Sequence, residues 1–271
     1  LIERYTELTG RHDLPPLWML GYQQSRWSYM SEARIRKLAE DFKTHKVPCD
    51  VLYMDIDYMH GFRCFTWDTN RFPTLPQLAS DLKEAGTKLI SIIDPGIKED
   101  PTYSVYRQGR DQGYFCDTPN GEIFHAPVWP GSSAFPDFTD PEVREWWGTL
   151  YEGLVDAGIS GFWNDMNEPA AFSTPQSGTL PDAVQHAMEG RGGDHREGHN
   201  VYGMQMARAT RAGLKRLQPN RRPIVITRAG WAGVQRYATS WTADNASTWG
   251  SLRLTIPMVL GLGLSGVGFT G

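Results

Sequence analysis

Acidic residues close a series of short apolar segments along the chain. Asp55 and Asp57 follow one such segment, and Asp94, Asp165 and Asp244 follow later ones. A single Asp in this position is more often a turn or cap residue than a catalytic one. Recurrence at the ends of four segments would require four independent caps on one face. The pattern therefore indicates an acidic functional site.

Two carboxyl groups that meet at one bound sugar divide the work of cleaving a glycosidic bond. One stays ionised and attacks or stabilises the sugar carbon, while the other stays protonated and protonates the leaving oxygen. Arg228, at the end of a later apolar segment, is placed to keep the first group charged. Trp129 and Trp163 stand next to acidic positions, where a role against a sugar ring and simple packing are equally reasonable interpretations.

These residues need a scaffold that brings strand ends together. Most of the apolar segments are continuous rather than alternating, which is typical of strands covered on both faces. We predict seven strands, at 17–21, 50–55, 88–94, 161–165, 223–227, 238–242 and 267–270. Helical patterns lie between them at 31–46, 75–85, 141–157, 201–217 and 247–262, with Ser31 and Asp140 as N-caps.

The repeated strand–helix–strand order predicts an α/β fold with a parallel sheet, either a (β/α)₈ TIM barrel or a doubly wound sheet. Three connections are longer than ordinary βα loops, namely those at 58–74, 95–139 and 169–200. Each follows the carboxyl end of a strand, where barrel enzymes build their active sites. We therefore expect these long loops to contribute to the site.

Composition excludes several classes of protein. The 271 residues carry 27 Lys and Arg against 31 Asp and Glu, a net charge of −4, and 40% are hydrophobic, which excludes a disordered chain. No run of 18 uncharged apolar residues predicts a membrane span, and no basic block predicts a nucleic-acid or membrane partner. Three cysteines do not make a disulfide framework, and their small number favours a cytoplasmic location.

Two motifs resemble cofactor sites but lack the right context. Gly261, Gly263 and Gly266 have the spacing of a dinucleotide fingerprint, yet they follow a helix and precede a strand, the reverse of the required order. Asp55 and Asp57 have the spacing of an acidic pair that holds a metal–nucleotide, but no phosphate loop accompanies them. We expect no cofactor.

A histidine-rich segment offers a further candidate site. His186, His195 and His199, with Glu189 and Glu197, include enough ligand types to hold a metal. They lie in a Gly-rich polar stretch without a second Cys or His cluster. We therefore expect a solvated or substrate-facing loop and no metal.

The segment GFWNDMNEP at 161–169 resembles the nucleophile motif of glycoside hydrolase family 31, the α-glucosidase family. DIDYM at 55–59 is similar to the second-strand signature of that family. Further similar segments follow in the family's order over nearly the whole chain: VWPG at 128–131, FPDF at 135–138, RAG at 228–230, QRY at 235–237 and WTADN at 241–245.

The resemblance implies a retaining, exo-acting α-glucosidase that hydrolyses terminal non-reducing α-linked glucose from oligosaccharides. Asp165 would be the nucleophile that forms a covalent glycosyl-enzyme, and Asp244 the general acid and then base, with their carboxyl groups ~5–5.5 Å apart. The sugar-binding residues it implies are Asp55, Ile56, Trp129, Trp163, Met166, Arg228 and Trp241.

Alternatives stay open within and beyond this family. α-Transglucosidases and α-glucan lyases share the nucleophile, and an inactive sugar-binding fragment is a further alternative. Met-Asn-Glu-Pro at 166–169 favours a glucosyl substrate over the substrates of α-xylosidases and sulfoquinovosidases. The family usually has Gly where this chain has Ala243, so a positive φ there would strain the backbone beside Asp244.

The strand count and the resemblance together predict a partial domain. We expect residues 1–271 to form a (β/α)₈ catalytic domain truncated after about the seventh strand, because the three long loops take up much of the length. The eighth strand, an N-terminal β-sandwich and C-terminal β-domains are expected to be absent from this chain. The sequence does not indicate an oligomeric state.

Overall fold

A computed structural model describes residues 1–172 and 178–270. The helices are α1 Ile2–Thr9, α2 Glu32–Thr44, α3 Leu75–Glu84, α4 Ser104–Gln112, α5 Pro141–Thr149, α6 Glu152–Asp156, α7 His195–Leu217 and α8 Trp249–Leu264. The strands are β1 Gln23–Gln24, β2 Val51–Met54, β3 Lys88–Ile93, β4 Ile97–Lys98, β5 His125–Val128, β6 Gly131–Ala134, β7 Gly161–Asn164, β8 Gln185–His186, β9 Gly193–Asp194, β10 Val225–Thr227 and β11 Thr239–Ser240. No helix within the described ranges has the length and apolar character needed to cross a bilayer.

The main sheet has six strands in the order β1-β2-β3-β7-β10-β11. All five neighbouring pairs are parallel, and helices connect most of them. Strands adjacent in the sheet thus follow one another along the chain, as in the wall of a TIM barrel. The predicted fold class is confirmed as a six-stranded part of such a barrel.

Two of the predicted strands are wrong. Residues 17–21 instead contain a 3₁₀-helix, Leu17–Leu20, which follows Pro16, and Met19 donates its N–H to the Pro16 carbonyl. Leu17 and Leu20 are exposed, so this apolar run is not a doubly covered strand. At 267–270, only Thr270 pairs with the sheet, through a single parallel bridge to Ser240.

Three predicted helices, those of α2, α3 and α5, begin where they were expected, and side chains cap the first and the last of them. Ser31 accepts a hydrogen bond from the Arg34 N–H at the start of α2, and Asp140 accepts one from the Glu142 N–H at the start of α5. The predicted helix at 141–157 is divided into α5 and α6. α7 begins at His195, six residues earlier than expected, because Asp194 caps it.

The long connection at 95–139 is not an irregular loop. It contains α4 and a separate antiparallel sheet of the order β4-β6-β5. The connection at 169–200 likewise contains the antiparallel pair β8 and β9. The backbone groups of these strands therefore have hydrogen-bond partners within the connections themselves.

A row of imidazoles anchors the histidine-rich segment. The Asp137 carboxylate contacts His186 Nδ1 at 3.0 Å, His186 Nε2 contacts His195 Nδ1 at 2.9 Å, and His195 Nε2 contacts His199 Nδ1 at 3.3 Å. His186 and His195 are buried, so the expectation of a solvated loop is wrong for both. Burial and the two flanking histidines lower the pKa of His195 to about 3, which keeps that ring neutral.

His186 also belongs to the group of side chains that comes nearest to a metal site in the described ranges. Cys116, Asp137 and His186 each place one ligand atom within 4.8 Å of the others. However, Asp137 also accepts hydrogen bonds from Thr139 and from the Ala187 N–H. These contacts satisfy the carboxylate and tie the 169–200 connection to the body of the fold.

Two glycines set the distance between α5 and α7. A Cβ atom added at Gly213 would lie 2.4 Å from the Gly148 Cα, which is far inside van der Waals contact. The two backbones therefore touch directly. This contact fixes α7 against the sheet, where it also packs on β10.

We expect Gly213→Ala to lower the free energy of unfolding by about 1–3 kcal/mol, because the added methyl group must push two helices apart. Gly153→Ala is the matched control, since a Cβ there meets nothing within 4 Å and the helix α6 gains about 0.5–1 kcal/mol of propensity. Chemical denaturation of both variants measures the difference. Equal stability of the two would contradict the close-contact interpretation.

Candidate active site

The carboxyl ends of three neighbouring strands bring charged residues together. Asn164 at the end of β7 is paired with Ile93 of β3 on one side and with Thr227 of β10 on the other. Asp94, Asp165 and Arg228 are the next residues of these three strands. Parallel register therefore places them side by side, and Asp94 and Asp165 are both buried.

Asp55 joins this rim from the end of β2. Its side chain accepts a hydrogen bond from the Ile56 N–H at 2.7 Å and so caps a short 3₁₀-helix, Ile56–Tyr58. Asp57 lies inside that helix and contacts Arg71 at 3.4 Å. β2 ends at Met54, before both residues, so Asp55 and Asp57 are not alternate positions of one strand.

Arg228 is shared between two carboxylates. Its Nη1 lies 3.2 Å from Asp165 Oδ1, while its Nε and Nη2 donate to the two oxygens of Glu168 at 2.8 and 2.6 Å. Nη2 also lies 3.3 Å from the Met166 sulfur. The predicted proximity of a cation to Asp165 is therefore present, and Glu168 is a partner that the sequence reasoning did not identify.

Burial dominates the electrostatics of the rim. It raises the pKa of Asp165 to about 6, and the negative charges of Glu168 and Asp244 act in the same direction, whereas Arg228 and the Met166 N–H act against it. Burial also raises the pKa of Asp55 to about 6, with Asp57 and Asp244 contributing. The pKa of Asp94 is raised well above its ordinary value by burial and by Asp165.

A cavity of about 710 Å³ opens beside these residues. Its wall includes Asp55, Trp163, Trp241 and Asp244, all predicted site residues. Trp163 and Trp241 stand edge to face with ring centroids 5.1 Å apart. Trp163 Nε1 is buried and has no hydrogen-bond partner among the described residues.

The other predicted site residues are not among those that line this cavity. Asp165 and Arg228 form an ion pair, Met166 contacts Arg228 through its sulfur, and Ile56 is part of the core. Trp129, on the turn between β5 and β6, packs against the exposed Trp27 with ring centroids 5.6 Å apart. Phe62 and Phe172 complete this aromatic group.

Trp27 connects the aromatic group to the cavity, since it also lines the cavity wall. Its place there was not predicted from the sequence. Trp27 follows a strand of only two residues, so no periodic pattern marks the position. Glu168 could have been noticed, because a carboxylate three residues after Asp165 lies within reach of the same strand end.

Asp244 sits on an exposed segment between β11 and α8. The residue before it, Ala243, has φ 67°, in the left-handed region that the usual Gly would occupy without strain. For Ala, this conformation costs about 1–2 kcal/mol. The backbone strain considered in the sequence analysis is therefore present, while the charge of Asp244 still acts on both Asp55 and Asp165.

Known proteins match this chain over nearly its whole length. The model for "Glycosyl hydrolases family 31 TIM-barrel domain" matches residues 12–271. Alpha-glucosidase 2 of Bacillus thermoamyloliquefaciens is 50% identical over 271 residues, which is 100% of this chain and 34% of that protein.

Solved structures agree with this similarity. A glucosidase II alpha subunit described as α3-Glc2-bound superposes with a TM-score of 0.94 at 38% identity, over 100% of this chain and 30% of that one. A family 31 dextranase of Flavobacterium johnsoniae complexed with glucose has a TM-score of 0.90 at 33% identity, over 99% of this chain and 33% of that one. The chain thus spans about a third of the length of these relatives.

We expect Asp55→Asn to stabilise the fold at pH 7.5 by up to about 3 kcal/mol, with a much smaller effect at pH 4. Because the pKa of Asp55 is raised to about 6 in the folded chain, the folded state binds its proton more tightly than the unfolded state does. Stability from this group is therefore lost as the pH rises from about 4 through 6.

Denaturant unfolding at the two pH values measures this difference. The amide oxygen of Asn can still accept the Ile56 N–H bond, so the variant removes mainly the charge. Asp156→Asn, at an exposed position of α6, is the control and is expected to change stability little at either pH. A stability gain for Asp55→Asn that is as large at pH 4 as at pH 7.5 would contradict the assignment.

Proposed function

The chain belongs to glycosyl hydrolase family 31, and on this premise we propose that it supplies the catalytic barrel of a retaining exo-α-glucosidase. The family match covers residues 12–271 and confirms the resemblance inferred from the motifs. The substrate in this proposal is a terminal, non-reducing, α-linked glucose of an oligosaccharide. The observation that carries it is the ion pair between Arg228 and the buried Asp165, which directly follows β7, the strand whose Trp163 lines the aromatic cavity.

In the first step, Asp165 attacks the anomeric carbon while Asp244 donates a proton to the departing glycosidic oxygen. Arg228 favours the ionised form of Asp165, which burial alone would disfavour. The bond to the leaving oxygen breaks as the carboxylate oxygen forms a covalent glycosyl-enzyme.

In the second step, Asp244 removes a proton from water, and the water oxygen displaces Asp165 from the sugar. Two inversions at the same carbon give net retention of the α-configuration. The exposed position of Asp244 on the cavity wall suits both tasks, because the leaving group departs and the water arrives through the same opening.

Sugar binding in this proposal uses the groups that the fold leaves with spare hydrogen-bonding capacity. One carboxylate oxygen of Asp55 accepts the hydrogen bond from the Ile56 N–H. The remaining acceptor sites of the carboxylate are available for sugar hydroxyl groups. Trp163 contributes part of the cavity wall against which the sugar lies. Trp129, Trp241, Met166 and Ile56 supply apolar surface around the ring.

The names of the relatives support a glucosyl ligand. One is an alpha-glucosidase, one solved structure contains α3-Glc2 and another contains glucose. All three chains are much longer than this one, and the dextranase shows that the same barrel occurs in enzymes with a different named substrate. The exo mode of action and the preference for oligosaccharides are therefore proposed for this chain and are not taken over from these relatives.

We expect a 5-fluoro glucosyl fluoride to label Asp165 covalently, because the electron-withdrawing fluorine slows breakdown of the glycosyl-enzyme and lets it accumulate. Peptide mapping by mass spectrometry locates the label. Asp165→Asn is the negative control and should take up none. A label on another carboxylate would refute the nucleophile assignment.

For Asp244→Ala, we expect hydrolysis of p-nitrophenyl α-glucoside to fall by about 10²–10⁴-fold and to recover in part when azide is added. Azide replaces water in the second step and needs no general base. Rescue is measured as the appearance of glucosyl azide with the α-configuration. Full activity of the variant without azide would remove Asp244 from the mechanism.

A further inference from the structure

We propose that Glu168 is a positioning residue for this reaction: it holds one edge of the Arg228 guanidinium so that only Nη1 faces Asp165. The inference rests on the proposed function, because the role concerns the nucleophile of that reaction.

The contact geometry separates the two edges of the guanidinium. Nε and Nη2 form a two-point contact with the Glu168 carboxylate, at 2.8 and 2.6 Å. This is the planar fork geometry in which Arg binds carboxylates most strongly. Arg228 Nη1 alone lies near Asp165, at 3.2 Å.

The contact with Asp165 is an ion pair without hydrogen-bond geometry. Asp165 Oδ1 is buried and receives no hydrogen bond from the described residues. Its lone pairs are therefore not engaged in a hydrogen bond, while the positive charge remains close. If Glu168 did not occupy Nε and Nη2, the same edge could bind Asp165 at two points and engage both of its oxygens.

Asn167 fixes the position of the contact between Glu168 and Arg228. Its side chain donates to Thr227 Oγ1 at 2.9 Å and accepts from the Ala229 N–H at 3.0 Å, so it bonds to the residues on both sides of Arg228. Asn167 is itself fully buried. The segment that carries Asp165 and Glu168 is thereby locked to the end of β10, and the position of Glu168 relative to Arg228 is fixed.

The electrostatic effect of Glu168 on Asp165 supports the same role. The negative charge of Glu168 raises the pKa of Asp165, whereas Arg228 lowers it. Loss of the Glu168 charge would leave Arg228 less compensated and would lower the pKa of Asp165. A less basic carboxylate held more tightly by its cation is a weaker nucleophile.

The test compares Glu168→Gln with Glu168→Asp in the otherwise unchanged protein. For Glu168→Gln, we expect kcat for p-nitrophenyl α-glucoside to fall by roughly 10–100-fold with KM changed less than about threefold. The acid limb of the pH profile of kcat/KM should move to lower pH, and Glu168→Asp, which keeps the charge, should leave that limb in place. Glu197→Gln removes the carboxylate of an exposed ion pair with Arg191 and serves as the control for both readouts.

A loss of activity that accompanies a lower Tm, with the acid limb unmoved in Glu168→Gln, would overturn the proposal in favour of a merely structural role. Unchanged kcat and unchanged acid limb would overturn it as well. Titration of the Asp165 carboxyl by carbon-13 NMR provides a readout that needs no turnover. An unchanged Asp165 pKa in Glu168→Gln overturns the inference even where the wild-type protein is active, whereas a wild-type protein that hydrolyses no glucoside overturns the proposed function itself.

Discussion

The burial of several carboxyl groups around one guanidinium is the constraint on which the site depends. Asp94, Asp165 and Glu168 all act electrostatically on Arg228 or through it, and burial opposes the ionised form of the two Asp residues. Such a group holds together only where its one cation is placed accurately. The parallel register between β7 and β10 achieves this by aligning Asn164 with Thr227, which makes Asp165 and Arg228 neighbours.

The remaining architecture can be understood as support for that alignment. The Asp165 N–H donates a hydrogen bond to the Ile93 carbonyl, and the Arg228 N–H donates one to the Asn164 carbonyl. Each residue is thus held by the end of a neighbouring strand. The Asp137–histidine row then ties the 169–200 connection to the body of the fold. The described parts of the long loops have hydrogen bonds of their own, and Trp129 on one of them packs against Trp27 in the cavity wall.

Much of this arrangement was predictable from the sequence, and the exceptions have physical causes. Continuous apolar runs followed by Asp revealed the ends of β2, β3 and β7, since both features are local. The run at 17–21 misled because apolar composition does not distinguish a buried strand from a partly exposed 3₁₀-turn. The contacts of Trp27 and His186 depend on residues far apart in the chain, and single-chain periodicity contains no information about such pairs.

The contact between Gly148 and Gly213 has a consequence for how this barrel can diverge. Where two helices meet through side chains, a larger residue on one can be accommodated by a smaller one on the other. Here both partners already lack a side chain, so no compensating exchange exists. A larger residue at this crossing therefore requires a shift of the whole α7 helix. The loops can change in sequence more readily than the spacing between α5 and α7.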